Sequence, residues 1–200
     1  MIQQIADMLR LKKGEAGLVL TLGLLLMINA LAQQVTEITA ISNFLSVGGA
    51  AGMLIIWIID GVLVIALTGF QSLVVDRYNR VVLVRGLMLV LAGVFGVLWL
   101  LYLLNVPPLI NYALLFLVSE QQWLFFPLVF WLLAGDVFQV SQGKRLFPLI
   151  GAFGFVGKLL GIGAALVAPL AFSRLGVAPA SILVVNIGIY LLAFAILIFG

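Results

Sequence analysis

Residues 109–134 read LINYALLFLVSEQQWLFFPLVFWLLA. The run is apolar apart from Asn111 near its start and a polar core at Ser119, Glu120, Gln121 and Gln122. A helix that crosses a bilayer needs about 20 mostly apolar residues, whereas a strand of a membrane barrel needs about 9–11 alternating ones. This stretch therefore reads as a transmembrane helix with a carboxylate at mid-depth. Five more runs of the same kind flank it, at about 17–46, 51–75, 82–104, 147–170 and 178–199. Gly48-Gly49, Asp76 to Arg80, Asn105 to Pro108, Gly135 to Arg145 and Ser173 to Gly176 punctuate them. Pro148 is expected in the first turn of the fifth helix, where its missing N–H costs least.

Composition agrees. The chain has 200 residues, 65% apolar and 8% charged, with a mean hydropathy of +1.34. Soluble domains run about 45–50% apolar and about 25% charged. A soluble enzyme, a nucleic-acid binder and a disordered tail are thereby excluded. Cys and His are absent from the sequence. That excludes a thiol nucleophile, a disulfide framework, a zinc site and a Ser-His triad. No nucleophile–base pair is present either, so neither an enzymatic role nor a cofactor or metal is expected.

The expected fold class is an all-α membrane protein of six transmembrane helices, arranged as a 3+3 inverted repeat. Spans one and four each open a triplet and carry amide–carboxylate clusters; spans three and six close one and are nearly apolar. Arg10, Lys12, Lys13, Arg77, Arg80, Arg85, Lys144 and Arg145 fall on one side of such a topology, and Arg174 on the other. That asymmetry places both chain ends in the cytoplasm. The first apolar run is too long for a secretory signal and lacks a cleavage site. Residues 1–14 form a separate segment before the bundle of residues 15–200. Ile2, Ile5, Met8 and Leu9 share one helical face, which suits an amphipathic helix on the membrane surface as well as a frayed start with a basic flank.

Ionisable residues inside spans are costly and usually face a bundle interior or a wet path. Asn29, Gln33 and Glu37 recur at i, i+4 and i+8 on one face of the first span. Asp60, Glu120 and Lys158 each lie about 9–12 residues into their spans, roughly 14–18 Å deep and near the middle of a ~30 Å core. These six are the candidate substrate-pathway residues. The spacing equally permits a fixed ion pair that locks helices together, with Glu120 joined to Lys158 or Asp60. Gly157 and Gly161 form a GxxxG pair for close helix approach.

The segment Ser72-Leu-Val-Val-Asp-Arg-Tyr-Asn-Arg80 resembles the loop between helices two and three of major facilitator transporters, written G-x-x-x-D-R-x-G-R. Asp76, Arg77 and Arg80 match, and Asn79 stands where that family has a glycine, the next-best residue for a left-handed turn. The resemblance implies a cytoplasmic gate at these three residues; a positive-inside turn with a local ion pair is the plainer alternative. Leu11-Lys12-Lys13-Gly14-Glu15, Glu120-Gln121-Gln122-Trp123, Phe130-Trp131 and Gly143 to Gly151 look like the ATP:ADP antiporter family and its bacterial relatives. That likeness implies the N-terminal half of a twelve-span carrier in a bacterial inner membrane. It would move a small solute, a nucleotide or other organic anion, by alternating access. Glu120 would be transport-critical, and Lys144 with Arg145 would sit at the cytoplasmic mouth. The first span departs from those antiporters, with Gln33, Gln34, Thr36 and Glu37 where they carry basic and acidic residues. The alternative is a carrier-like accessory subunit that does not transport. Either way, the partners are the lipid bilayer and a second six-helix half, an identical copy or a membrane-complex subunit, and not nucleic acid. Spans three and six are expected to face lipid.

Overall fold

The computed structural model describes residues 15–75, 77–175 and 181–199. The amphipathic segment 1–14 and Asp76 lie outside the described residues. The rest forms five helices, α1 (Glu15–Val75), α2 (Arg80–Leu103), α3 (Pro108–Val137), α4 (Val140–Leu175) and α5 (Ser181–Phe199). With 61 residues, α1 would be about 90 Å long if straight, three times the hydrocarbon core of a bilayer. It is not straight. Gly49 has φ 66° and ψ −179°, a left-handed φ that glycine adopts without steric cost. The break separates a first arm, 15–48, from a second arm, 50–75.

The arms run in opposite directions. In the first, Asn43 shares a cavity with Asn111, while Asn29 meets Gln122 lower down, so this arm is antiparallel to α3. In the second, Asp60 meets Gln121 and Gln71 reaches the Phe125 carbonyl, so this arm runs with α3. Helix α2 starts at Asn79, whose side chain accepts from the Val81 amide at 2.9 Å. Asn79 has φ −60° and ψ 132°, so it serves as an N-cap and not as the left-handed turn residue that the resemblance suggests. Among the described residues the left-handed non-glycine residue is instead Asn105 (φ 56°), which ends α2 just before Pro107-Pro108 opens α3.

The polar stretch 135–145 is not a long loop. Helix α3 continues to Val137 and α4 resumes at Val140. Gln142 makes this possible, because its Oε1 accepts from the Gln139 amide at 3.0 Å and caps the new helix. Pro148 thus lies inside α4 and not in its first turn.

The glycines of α4 set the tightest packing. A Cβ on Gly161 would stand 2.8 Å from the Leu31 carbonyl oxygen, and one on Gly154 3.0 Å from Leu26. Backbone approach of this kind is what small residues allow in membrane helices. Both arms of α1 pack on α3; α2 packs on α5, and α5 also meets the first arm. Met88, Leu91, Phe95 and Leu98 of α2 form a buried stripe, and Phe116, Phe126 and Phe130 of α3 fill the centre.

One end of the bundle gathers Glu15, Val75, the 77–85 segment, the 136–145 segment and Leu197. Arg145 bonds both Glu15 carboxylate oxygens, at 2.8 and 2.6 Å, and Gln142 donates to Glu15 at 3.0 Å. Arg80 approaches Asp136 at 3.7 Å, and the Arg85 Nε donates to the Leu197 carbonyl at 3.2 Å. Arg174 lies at the far end of α4. Helices α1 to α4 are long and apolar enough to cross a membrane, and α5 is a shorter apolar helix. Ile58 (71% exposed), Ile65 (78%) and Leu166 (71%) bare apolar surface that suits lipid and not water.

Candidate functional site

The sequence places its strongest polar residues at one depth, and the fold sorts them into two layers. The inner layer is closed. Gln122 donates from Nε2 to Tyr190 and, at 3.4 Å, to Asn29 Oδ1; the Tyr190 hydroxyl donates to the same Asn29 oxygen at 3.3 Å. Asn186 donates to Thr36 Oγ1 at 2.7 Å, and the Thr36 hydroxyl donates to the Ala32 carbonyl at 2.8 Å. All five side chains are buried, as is Gln33. Asn29, Gln33 and Thr36 form one stripe on the first arm, and Asn186 and Tyr190 lie one turn apart on α5. The Tyr190 ring also stacks on Phe95, with centroids 5.7 Å apart. This layer joins α1, α3 and α5 by hydrogen bonds inside a medium without competing water, where an unpaired polar group costs most.

The outer layer is open. Glu37, Asp60, Glu120 and Gln121 are half-buried. Gln121 donates to Asp60 Oδ1 at 3.0 Å, and Glu120 lies within electrostatic reach of both Asp60 and Glu37. The i and i+2 relation explains the sorting on α3, because Glu120 and Gln122 point to opposite sides of one helix. Glu120 of α3 thus faces one carboxyl group from each arm of α1 at electrostatic range.

Lys158 does not join them. Gly157 and Gly161 turn toward Met27 and Leu31, which carries the adjacent Lys158 off that seam to an exposed position. It makes no ion pair or hydrogen bond among the described residues, so the lock expected between Glu120 and Lys158 is not formed. Only the Glu120–Asp60 proximity is present, and it is one of like charges. Among the described residues no group of acids, His or Cys could hold a metal ion.

At the basic end, Arg80 is bound to the Val75 and Tyr78 carbonyls as well as facing Asp136. Arg77 is exposed, and so is Lys144, whereas Arg145 is committed to Glu15. Glu15, Tyr190 and Thr36 are site residues that the sequence reading passed over. Tyr190 stands four residues after Asn186, and that i, i+4 spacing was the available signal.

Comparison of the chain with family models, with curated proteins and with solved structures finds no match.

Proposed function

We propose that the chain is one six-span bundle of a secondary carrier. Its open carboxyl layer would line a solute path completed by a second bundle. The observation that supports this most is that Glu120, half-buried in its span, lies within electrostatic reach of the half-buried Asp60 and Glu37, and that none of the three is ion-paired to a cation among the described residues. Charges that face lipid near the bilayer centre cost roughly 2.5–3.5 kcal/mol each on the insertion scale. A wet cavity between two bundles removes that cost. The helix pairing supports a 3+3 repeat. Exchanging span one with four, two with five and three with six maps the contact of spans one and five onto that of four and two. It also maps the contact of spans three and four onto that of six and one. The gathered basic residues support a cytoplasmic position for the end that holds Glu15 and Leu197.

The solute class follows from charge. This bundle offers a nucleotide or other organic anion three carboxyl groups and an exposed Lys158 that pairs with none of them, so further cations for it would have to come from the facing bundle. The same observation favours the second reading, a carrier-like subunit that does not transport. The two readings part in a labelling experiment, since the chain has no native Cys. Val64→Cys sits one turn from Asp60. In reconstituted vesicles with a panel of nucleotides, organic anions and organic cations, a carrier should show solute-dependent labelling at position 64 by an impermeant maleimide. Labelling that no solute changes, together with no flux that Glu120→Gln reduces, would refute transport.

A further inference from the structure

The second arm of α1 ends at Val75 and helix α2 begins at Arg80, yet these consecutive helices pack on α3 instead of along each other. Between them runs an open groove in two connected stretches of about 370 and 390 Å³. Leu87, Val90 and Phe125 line both stretches, Leu63 stands at the inner end and Tyr78 at the outer. Along α3 the groove extends from Leu114 to Val129, fifteen residues or about 22 Å. That exceeds one leaflet, about half of a ~30 Å core. A Cβ on Gly86 would meet nothing within 4 Å, so the wall on α2 is open there.

The shape limits the occupant. A helix is about 10 Å across with its side chains, and the groove is too narrow for one at its outer end, where Arg80 at the start of α2 bonds the Val75 carbonyl at the end of the second arm. A single hydrocarbon chain fits. The outer end supplies the polar half of the recognition. Tyr78 is exposed at the mouth, where an amphipathic ring sits at headgroup level. Arg77 beside it is exposed and makes no hydrogen bond or ion pair among the described residues. Arg80 and Arg85 are turned away, to Asp136 and to the Leu197 carbonyl.

We propose that this groove is a binding site for one acyl chain of an anionic phospholipid, whose phosphate is held by Arg77. The site rests on the membrane-spanning character of the helices and is independent of whether the protein transports. Purified protein would be mixed with phosphatidylglycerol or phosphatidylcholine and measured by native mass spectrometry from a mild detergent. A one-to-one phosphatidylglycerol adduct should survive activation that strips phosphatidylcholine, with about a fivefold difference in retention, the equivalent of one basic residue at a membrane surface. Arg77→Gln should reduce retention to that of phosphatidylcholine. Gly86→Phe fills the groove from the open side and should remove both adducts. Val90→Phe, at a residue 60% exposed, repeats the test should the first variant fold poorly. Equal retention of the two lipids by the unaltered protein overturns the proposal. So do adducts that survive both groove-filling changes. A protein dimer that Gly86→Phe dissociates, with lipid retention unchanged, would assign the groove to a second copy and overturn it as well.

Discussion

Replacing Gly157 by Ala tests the packing that holds the first arm of α1 against α4. An added methyl there would stand 2.9 Å from both the Met27 carbonyl carbon and Cα, and closer still to its carbonyl oxygen. All three are backbone atoms, so no side chain can rotate away. The helices must separate by about 1 Å, and a gap of that size forfeits a quarter to a half of each van der Waals contact along the seam. The seam includes Gly23 against Phe153, Gly154 against Leu26 and Gly161 against Leu31, so the loss is shared by every pair. Overpacking costs of about 1–3 kcal/mol are typical, and backbone contact puts this site at the upper end. The gain in helix propensity returns about 1 kcal/mol. A net loss of about 2 kcal/mol, up to thirtyfold in the folded ratio, is expected. Gly163 lies two residues past the seam, with nothing within 4 Å of its would-be Cβ. Gly163→Ala is therefore the control and should be neutral or mildly stabilising. Tryptophan fluorescence during denaturation from detergent micelles reads both. Equal midpoints for the two variants would refute the close-approach argument.

Arg145→Met should destabilise the protein by about 1.5–3 kcal/mol, because Glu15, which is 5% exposed, loses a two-pronged charged donor and keeps the Gln142 one. Adding Glu15→Gln should recover most of that loss in the same denaturation assay. Gln122→Leu removes the donor shared by Tyr190 and Asn29 and should cost about 1–3 kcal/mol, whereas Tyr190→Phe should cost about 1. Equal effects of the two would mean that the layer is not centred on Gln122. Asn79→Ala should lose about 1 kcal/mol and speed hydrogen exchange at the Val81 amide, while Asn79→Ser should preserve protection there.

The helices were legible because their signals are local. Apolar length sets each run, and Gly49 and Asn105-Val106-Pro107-Pro108 break the chain where φ or a missing N–H forces a break. The break within 135–145 was legible but its shortness was not, because polarity alone does not unwind a helix; Gln142 supplies the cap that composition does not reveal. The site was legible in depth but not in azimuth. Counting residues places Asp60, Glu120 and Lys158 at one level, and the structure brings only Asp60 and Glu120 together. Lys158 is set aside by the demand of its neighbour Gly157, which must face Met27, and a side chain one residue on is rotated by about 100° from that seam. The same geometry divides Glu120 from Gln122. One side of α3 builds the hydrogen-bonded layer with Asn29 and Tyr190, and the other leaves a carboxyl group where α1 can add two more. Polar residues in a span thus carry two jobs that hydropathy cannot separate. The glycine seam separates them, because it fixes the rotation of α4, and the inner layer fixes the rotation of α1, α3 and α5. Once those rotations are set, the positions of Glu37, Asp60 and Glu120 on the open side are consequences of helix geometry.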